Sequence, residues 1–190
     1  MPTLLARLAR SAPGIDIWVK SVPEDPIACL ASGEVDLIIT PLRGPLRSGI
    51  VHERLFDERF VCVVRRGHPL AKKRLTLARY LSLPHALVAP RGQRGSFVDD
   101  ALAAVGKRRR VACTVPHFLV APYVIANTDM ILTLAERVAR TFATQLPLVV
   151  LPPPLELPGF TMSQSWHERS ATDAGHTWLR ALLLEIARGK

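Results

Sequence analysis

The segment from Val61 to Val64 constrains the fold more than any other part of the chain. It reads Val-Cys-Val-Val without polar alternation, and two arginines then lead into Gly67-His68-Pro69. A strand with one solvent-facing side would alternate apolar and polar residues, so this pattern predicts a strand that is buried on both faces. The glycine and the proline predict that the chain turns out of the sheet directly afterwards. We interpret the segment as a hinge strand that leaves one domain.

Helical and extended patterns alternate along the rest of the chain, which favours βαβ units and a mainly parallel sheet. Ligands of such sheets lie at the carboxyl ends of the strands. The predicted strands are 15–19, 35–40, a strand pair at 51–55 and 60–64, then 85–89, 111–115, 130–134 and 160–166. The predicted helices are 3–10, 23–32, 76–81, 96–105, 117–126, 136–145 and a last helix capped by Asp173.

The order of these elements predicts an α/β protein with two Rossmann-like lobes. At 190 residues and 48% hydrophobic, the chain is long enough to bury a sizeable core in each lobe. We expect residues 1–66 and 147–190 to form lobe I and residues 67–146 to form lobe II. Two crossover strands would join the lobes, as in type 2 periplasmic binding proteins. The hinge residues predicted in these strands are Val63, Val64, Leu148 and Val149.

Charge and cysteine content narrow the possible partners. The formal charge of +9 suggests that the protein could bind nucleic acid. The densest basic run, Lys107 to Arg110, nevertheless sits on a predicted turn without aromatic residues that could stack on bases. We interpret the run as a solvated turn, with a phosphate-binding patch as the alternative. The excess of positively charged residues favours an anionic small ligand over a cationic one.

The three cysteines, Cys29, Cys62 and Cys113, are odd in number and lie in apolar surroundings. They predict free thiols in a reducing compartment. No stretch approaches the length of a membrane span, and arginines interrupt the apolar N-terminal stretch. We therefore expect a cytoplasmic protein.

Motifs that would indicate catalysis or a bound metal are not found in the sequence. It contains no nucleophile elbow, no His-Glu-x-x-His and no dinucleotide fingerprint. The group Trp166, His167, Glu168, Asp173 and His176 does not have the spacing of a zinc site. We expect no catalytic residues, no metal and no cofactor, and an enzyme is the weaker hypothesis.

Three segments together resemble a known family: Val61 to Leu70, Pro116 to Pro122, and Trp166 to Arg169. They are similar to the effector-binding domain of LysR-type transcriptional regulators, and within it to the NodD- and NahR-like branch, which senses small aromatic acids and flavonoids. The resemblance covers nearly the whole chain. It implies a ligand-sensing domain that forms a homodimer or a higher homo-oligomer and does not contact a membrane.

The resemblance also implies which family parts this sequence does not contain. Regulators of this family bind DNA through a winged helix-turn-helix domain, which a long linker helix follows. Neither is found here, so DNA contact is expected only through a domain outside this sequence. The first strand of the effector domain is also not found, and one edge of the sheet in lobe I should then be exposed.

Seven residues are predicted to contact a ligand. By resemblance, lobe I contributes the end of the strand 35–40, and lobe II contributes the strand 85–89, the start of the next helix and the following strand. In addition, the loop Arg91 to Ser96 follows a strand and precedes a helix, so its amides could hold an anion, although a plain glycine turn is the alternative. The predicted ligand residues are Thr40, Pro41, His85, Gly92, His117, Phe118 and Thr133.

Both histidines in this set carry an alternative interpretation. Imidazole suits a carboxylate or phenol ligand because it can donate, accept or carry charge near neutral pH. His85 and His117 could equally be structural residues that bond to the backbone, and Phe118 could be a core residue.

The first hypothesis for function is that a small aromatic or carboxylic acid bridges the two lobes and changes their orientation, which controls transcription. A stand-alone solute-binding protein or a degenerate remnant of a regulator is the alternative, and a small-molecule enzyme is the third.

Overall fold

The computed structural model describes residues 1–41, 48–90, 92–93 and 95–189. These form two compact units: unit 1 consists of Met1–Asp57 and Phe160–Lys190, and unit 2 consists of Glu58–Gly159. The chain therefore passes between the units twice, at 57–58 and at 159–160. The boundaries expected at 66 and 146 both lie inside unit 2.

Helices and strands of the two units alternate along most of the chain. In chain order they are α1 (Pro2–Ser11), α2 (Pro26–Ser32), β1 (Ile38–Pro41), β2 (Ile50–Glu58), β3 (Phe60–Arg65), α3 (Leu77–Ser82), β4 (Pro84–Val88), α4 (Phe97–Ala104), β5 (Arg110–Val115), α5 (Ala121–Ala126), β6 (Ile131–Ala135), α6 (Glu136–Ala143), β7 (Leu148–Leu151), β8 (Phe160–His167) and α7 (Ala174–Ala187).

Unit 1 contains a three-stranded sheet with the order β1-β8-β2. Strand β1 runs antiparallel to β8, and Ile38 lies opposite Ser165. One apolar cluster packs α2 against this sheet, and a second joins α1 to α7 through Leu4, Leu8 and Leu182. Helix α7 begins as predicted, because the carboxylate of Asp173 accepts a hydrogen bond from the amide of His176 at 2.6 Å.

The predicted strand at 15–19 is wrong. The segment has no strand pairing, and Trp18 and Val19 are 85% and 63% exposed. Only Ile17 is packed, against the cluster between α1 and α7. Alternating apolar residues form a strand only where a neighbouring strand can pair with their backbone, and no described strand lies beside this segment.

Unit 2 contains a five-stranded sheet with the order β5-β4-β6-β3-β7. Strand β4 is parallel to β5 and β6, whereas β3 is antiparallel to both β6 and β7. Four of its five strands, β5, β4, β6 and β7, therefore run in one direction, as in the predicted mainly parallel sheet, and β3 runs in the opposite direction. The strands joined through α4 and α5 are parallel, as helical crossovers require, but β3 enters from unit 1 and runs in the opposite direction.

Strand β3 is buried on both faces, which confirms the prediction for its sequence. Val61 and Val63 belong to one apolar cluster, and Cys62 and Val64 belong to another. Successive side chains of a strand point to opposite faces, so β3 separates the two halves of the core of unit 2. The predicted pairing of 51–55 with 60–64 is wrong, because β2 and β3 lie in different sheets.

The four predicted hinge residues lie inside the sheet of unit 2. Val64 is opposite Val149, and Arg65 is opposite Leu148, in the antiparallel pair of β3 and β7. Neither residue pair is at a crossing point. The pairing does bring the start of β3 and the end of β7 to the same end of the sheet, close to where the chain enters and leaves the unit.

A buried ion pair corrects the prediction of a solvated turn at Lys107 to Arg110. The side chain of Arg109 is only 1% exposed. It donates two hydrogen bonds to the carboxylate of Asp99, at 2.7 and 2.9 Å, and one to the hydroxyl of Ser96 at 3.0 Å. The Ser96 hydroxyl also accepts from the amide of Val98 and caps α4. The basic run is therefore solvated only at its other three residues.

Replacing Asp99 by alanine should destabilise unit 2, because the guanidinium of Arg109 would stay buried without its carboxylate. We expect a loss of about 2 to 3 kcal/mol in the free energy of unfolding, less than for a fully enclosed pair because Asp99 is partly exposed. Urea titration of the whole chain measures this loss.

Asp100 provides the matched control, since it lies next to Asp99 in the same helical turn and is exposed. Asp100→Ala should change the free energy of unfolding by no more than about 0.5 kcal/mol. Equal losses for the two variants would show that the ion pair does not stabilise the unit.

Candidate functional site

Unit 1 holds two of the predicted ligand residues at the carboxyl end of a strand. Thr40 and Pro41 are half-buried at the end of β1, opposite Ser163 and Met162 of β8. Strand pairing on this side fixes their backbone. The described chain resumes at residue 48, so the predicted loop from Pro41 to Gly49 lies mostly outside the described residues.

In unit 2, His117 and Phe118 lie in an exposed turn between β5 and α5. The amide of Val120 donates to the carbonyl of His117 at 3.2 Å, which closes the turn. The predicted helix start at 117 is wrong, since α5 begins at Ala121. Pro122 occupies the second position of α5. A backbone N–H group at this position has no partner within the helix, so proline, which lacks this group, is tolerated there. Its φ angle also suits a helix start.

This turn leaves an unusual amount of apolar surface exposed. Phe118 is 49% exposed and Leu119 is 70% exposed, and Val120 and Tyr123 are exposed as well. We call Phe118, Leu119, Val120 and Tyr123 the turn surface. An exposed apolar patch with a polar group beside it is typical of a place where a ligand or partner binds, and His117 supplies the polar group here. The alternative interpretation of Phe118 as a core residue is wrong, because the residue is 49% exposed.

Thr133 belongs to a polar cluster inside unit 2. Its hydroxyl lies 2.8 Å from the hydroxyl of Tyr80 and 3.6 Å from the thiol of Cys62. Burial raises the pKa of Tyr80 to about 12, and burial likewise raises the pKa of the Cys62 thiol to about 12. Both groups therefore stay neutral at physiological pH, and the cluster offers hydroxyl dipoles rather than charge.

His85 is wholly buried beside the same cluster. Its Nε2 donates to the carbonyl of Tyr80 at 2.9 Å, and its ring meets the ring of Tyr80 edge-on, with centroids 4.4 Å apart. Its Nδ1 has no hydrogen-bond partner among the described residues. Burial lowers the pKa of His85 to about 4. This placement favours the structural alternative, because the imidazole presents no surface to a ligand.

Gly92 lies in a turn that follows β4. Its φ of +67° is in the left-handed region, and its amide donates to the carbonyl of Ala89 at 2.9 Å. Arg91 and Arg94 of the predicted anion loop lie outside the described residues. Downstream in the same loop, the Ser96 hydroxyl is already bonded, and the negative charge of Asp99 beside it disfavours a second anion. These contacts favour the plain glycine turn.

A groove of about 690 Å³ lies elsewhere in unit 2, between residues 73–77 and 151–156. Lys73 and Arg74 make one wall basic, and the proline run that begins at Pro152 forms the other. None of the seven predicted ligand residues lines it. The predicted ligand residues of unit 2 thus lie in three places: the exposed turn of His117 and Phe118, the glycine turn after β4, and the buried cluster of His85 and Thr133.

The described residues contain neither a metal-binding group nor a membrane-spanning helix. No group of three or more His, Cys, Asp and Glu side chains in this part of the chain could hold a metal ion. In the same residues, no helix has both the length and the apolar character that a membrane span requires.

The sequence did not mark two buried polar side chains of unit 2, those of Tyr80 and Arg109. Tyr80 is fully buried and contacts both His85 and Thr133, and Arg109 lies in a run of four basic residues. The position of Tyr80 in the predicted helix 76–81 could have marked it as a core residue. Nothing in the run from Lys107 to Arg110 distinguishes Arg109, because its burial depends on Asp99 in a different element.

The burial of His85 predicts acid lability. The pKa of His85 is about 4 in the folded chain and near 6.5 when it is unfolded. Between these values the unfolded chain binds a proton that the folded chain does not, so stability falls as the pH is lowered from 6.5 to 4. The loss at pH 4 is on the order of 3 kcal/mol. Urea titration at several pH values measures it.

His85→Gln should flatten this pH dependence, because glutamine can still donate to the Tyr80 carbonyl but does not titrate. The same substitution at His117, which is exposed, is the control and should leave the slope as it is in the parent chain. An unchanged slope in the His85 variant would assign the acid lability to other groups.

Comparison with known proteins shows consistent matches. The family model described as "LysR substrate binding domain" matches residues 1–188. The chain is 34% identical over 191 residues to the HTH-type transcriptional activator NagR of Ralstonia sp, covering 98% of this chain and 62% of the relative. It is 32% identical over 187 residues to the HTH-type transcriptional activator NahR of Pseudomonas putida, with the same two coverages. The chain thus spans about three fifths of the length of these relatives.

A solved structure gives the same result. The regulatory domain of MexT, a transcriptional activator in Pseudomonas aeruginosa, is 29% identical and superposes with a TM-score of 0.81. The match covers 97% of this chain and 89% of that one. The expected two-lobed α/β fold is confirmed by this similarity, and so is the resemblance that the sequence segments indicated. The chain belongs to the LysR substrate-binding domains of transcriptional regulators.

Proposed function

We propose that this chain senses a small aromatic or carboxylic acid and thereby controls a DNA-binding regulator. The observation that carries the proposal is the turn surface of unit 2, where aromatic and aliphatic side chains are exposed next to His117. NagR and NahR, which the chain resembles, are named as transcriptional activators. DNA contact would come from a winged helix-turn-helix domain outside this sequence.

The exposed groups suit a ligand that has an apolar ring and an acidic group. The ring of Phe118 can pack against an aromatic effector, which favours offset or edge-on geometry. His117 can donate a hydrogen bond to a carboxylate or phenolate. The formal charge of +9 adds a general attraction for anions.

The other predicted residues contribute in two ways under this proposal. Thr40 offers a hydroxyl at a strand end in unit 1, and Pro41 fixes the chain next to it. Thr133 offers a half-buried hydroxyl that Tyr80 holds in place. His85 donates a hydrogen bond to the carbonyl of Tyr80, and Gly92 allows the turn after β4. Neither residue needs to contact the ligand.

Regulation would follow from a preference of the effector for one conformation of the protein. A ligand can shift a conformational equilibrium only by its difference in affinity for the two conformations. We further propose that the domain works as a homo-oligomer in the cytoplasm, in keeping with its three free cysteines.

Salicylate is the probe that tests this function, since it combines an aromatic ring with a carboxylate and a phenol. We expect calorimetry to detect its binding to the parent chain. Phe118→Ala should weaken the affinity about tenfold, which corresponds to about 1.4 kcal/mol, because the ring contact is lost. His117→Ala should weaken it by a similar factor.

Trp18→Ala is the matched control, since Trp18 is an exposed aromatic residue of unit 1 outside the proposed site. It should bind salicylate as the parent chain does. Melting temperatures confirm that each variant is folded. If a panel of aromatic acids fails to bind the parent chain, or if Phe118→Ala binds as tightly as the Trp18 variant, the proposal is wrong.

A further inference from the structure

The groove of unit 2 between residues 73–77 and 151–156 lies outside the proposed effector site, and we call it the proline groove. Its volume of about 690 Å³ falls in the range of about 300 to 1,000 Å³ that is typical of small-molecule sites. The residues that line it all belong to unit 2, and none of them is a predicted ligand residue. Effector binding therefore does not explain the chemistry of its walls.

The inner lining of the proline groove is apolar and is packed on the core of unit 2. Leu75 is 6% exposed and belongs to the apolar cluster that contains Tyr80. Three further leucines of the groove are half-buried and pack against the same cluster: Leu77, Leu151 and Leu155. The apolar surface that these leucines leave in contact with water can bind the apolar part of a ligand with a gain in free energy.

The prolines from Pro152 to Pro154 form one wall of the groove. Their rings add apolar surface, and their fixed φ angles limit how far the wall can move. Proline has no N–H group, so these residues cannot donate a backbone hydrogen bond to an anion. Glu156 lies on the same wall and is exposed. An anionic group is therefore disfavoured on this side of the groove.

The opposite wall carries positive charge. Lys73 and Arg74 line it, and both are exposed. No carboxylate in the described part of the chain forms an ion pair with either side chain. An anion that binds at this wall can accept hydrogen bonds from two cations without displacing a carboxylate. The two walls thus give the groove a basic side and an apolar side.

Hydrogen bonds hold the basic wall in place. The amide of Lys73 donates to the carbonyl of Leu70 at 3.0 Å, which closes a turn. The guanidinium of Arg79 donates to the carbonyl of Arg74 at 2.7 Å and attaches the wall to α3. The hydroxyl of Thr76 then caps α3 by accepting from the amide of Arg79 at 3.4 Å. A wall that is already formed loses little conformational freedom when a ligand binds.

We propose that the proline groove binds a free alkyl carboxylate, with the acidic group at Lys73 and Arg74 and the alkyl chain along the prolines and leucines. Glu156 favours this ligand over an acidic peptide, because several carboxylates spread along the groove would bring one of them close to a like charge. The inference goes beyond the proposed function, since the groove and the turn surface have no residue in common.

The test follows the methyl signals of the leucines by NMR while the whole chain is titrated with octanoate. We expect the signals of Leu75, Leu77, Leu151 and Leu155 to shift with one common Kd. Hexanoate should bind about fivefold more weakly, because it has two methylene groups fewer and each fully buried methylene contributes roughly fourfold to the affinity. Octanol, which lacks the charge, should also bind about fivefold more weakly than octanoate.

The double variant Lys73→Gln, Arg74→Gln should weaken octanoate binding about fivefold and leave octanol binding unchanged, because it removes only the charged contacts. The matched control is the double variant Lys107→Gln, Arg108→Gln, which removes the same net charge from exposed residues of unit 2 outside the groove. It should bind octanoate as the parent chain does. Melting temperatures confirm that both variants are folded.

Leucine signals that octanoate leaves in place, or equal losses of affinity in the two double variants, would overturn the proposal. A short peptide of alternating aspartate and leucine that shifts these signals when octanoate does not would also overturn it, since the groove would then be a peptide site. The same holds if the signals change only with protein concentration, since a second copy of the chain would then cover the groove.

Phe118→Ala separates this inference from the proposed function. The variant should bind octanoate as the parent chain does, because Phe118 does not line the groove. If octanoate binds the parent chain and salicylate does not, the groove is supported and the proposed effector class is wrong. If salicylate binds and Phe118→Ala weakens it while octanoate leaves the leucine signals in place, the proposed function is supported and the groove is wrong.

Discussion

A chain that enters a folded unit and leaves it again must bring both ends of that unit to one place. Unit 2 meets this constraint through the antiparallel pairing of β3 with β7, which directs the incoming and outgoing segments to the same end of the sheet. The segments finally touch at Glu58 and Gly159, where the absence of a side chain permits the contact. The same pairing places β3 between β6 and β7 inside the sheet.

The core of unit 2 contains several polar side chains, and most of them have hydrogen-bond partners. Thr133 bonds to both Tyr80 and Cys62, which are neutral, and Arg109 keeps its charge because Asp99 and Ser96 accept its hydrogen bonds. Buried polar groups that are paired cost little, whereas an unpaired one costs the free energy of its lost hydration. His85 is the exception, since only one of its two ring nitrogens has a partner among the described residues.

The two histidines singled out for ligand binding show how far environment decides a residue's role. His85 is enclosed between Tyr80 and the sheet, which holds it neutral and away from solvent. His117 lies in an exposed turn beside Phe118. The residue type is the same, so the sequence assigned both the same chemistry. The structure leaves only His117 placed to meet a ligand from solution.

The sequence by itself determined most elements, the membership of the family and the burial of β3, because these depend on local pattern: apolar runs, helix caps such as Asp173, and characteristic segments. Tertiary structure decided what depends on a partner distant in sequence. The segment 15–19 has a strand pattern but no neighbouring strand to pair with. Arg109 is buried because Asp99 lies next to it, and the chain passes between the units at 57–58 and 159–160, where Gly159 lies against the carbonyl of Glu58. A local pattern carries no information about such partners, so only the folded chain reveals them.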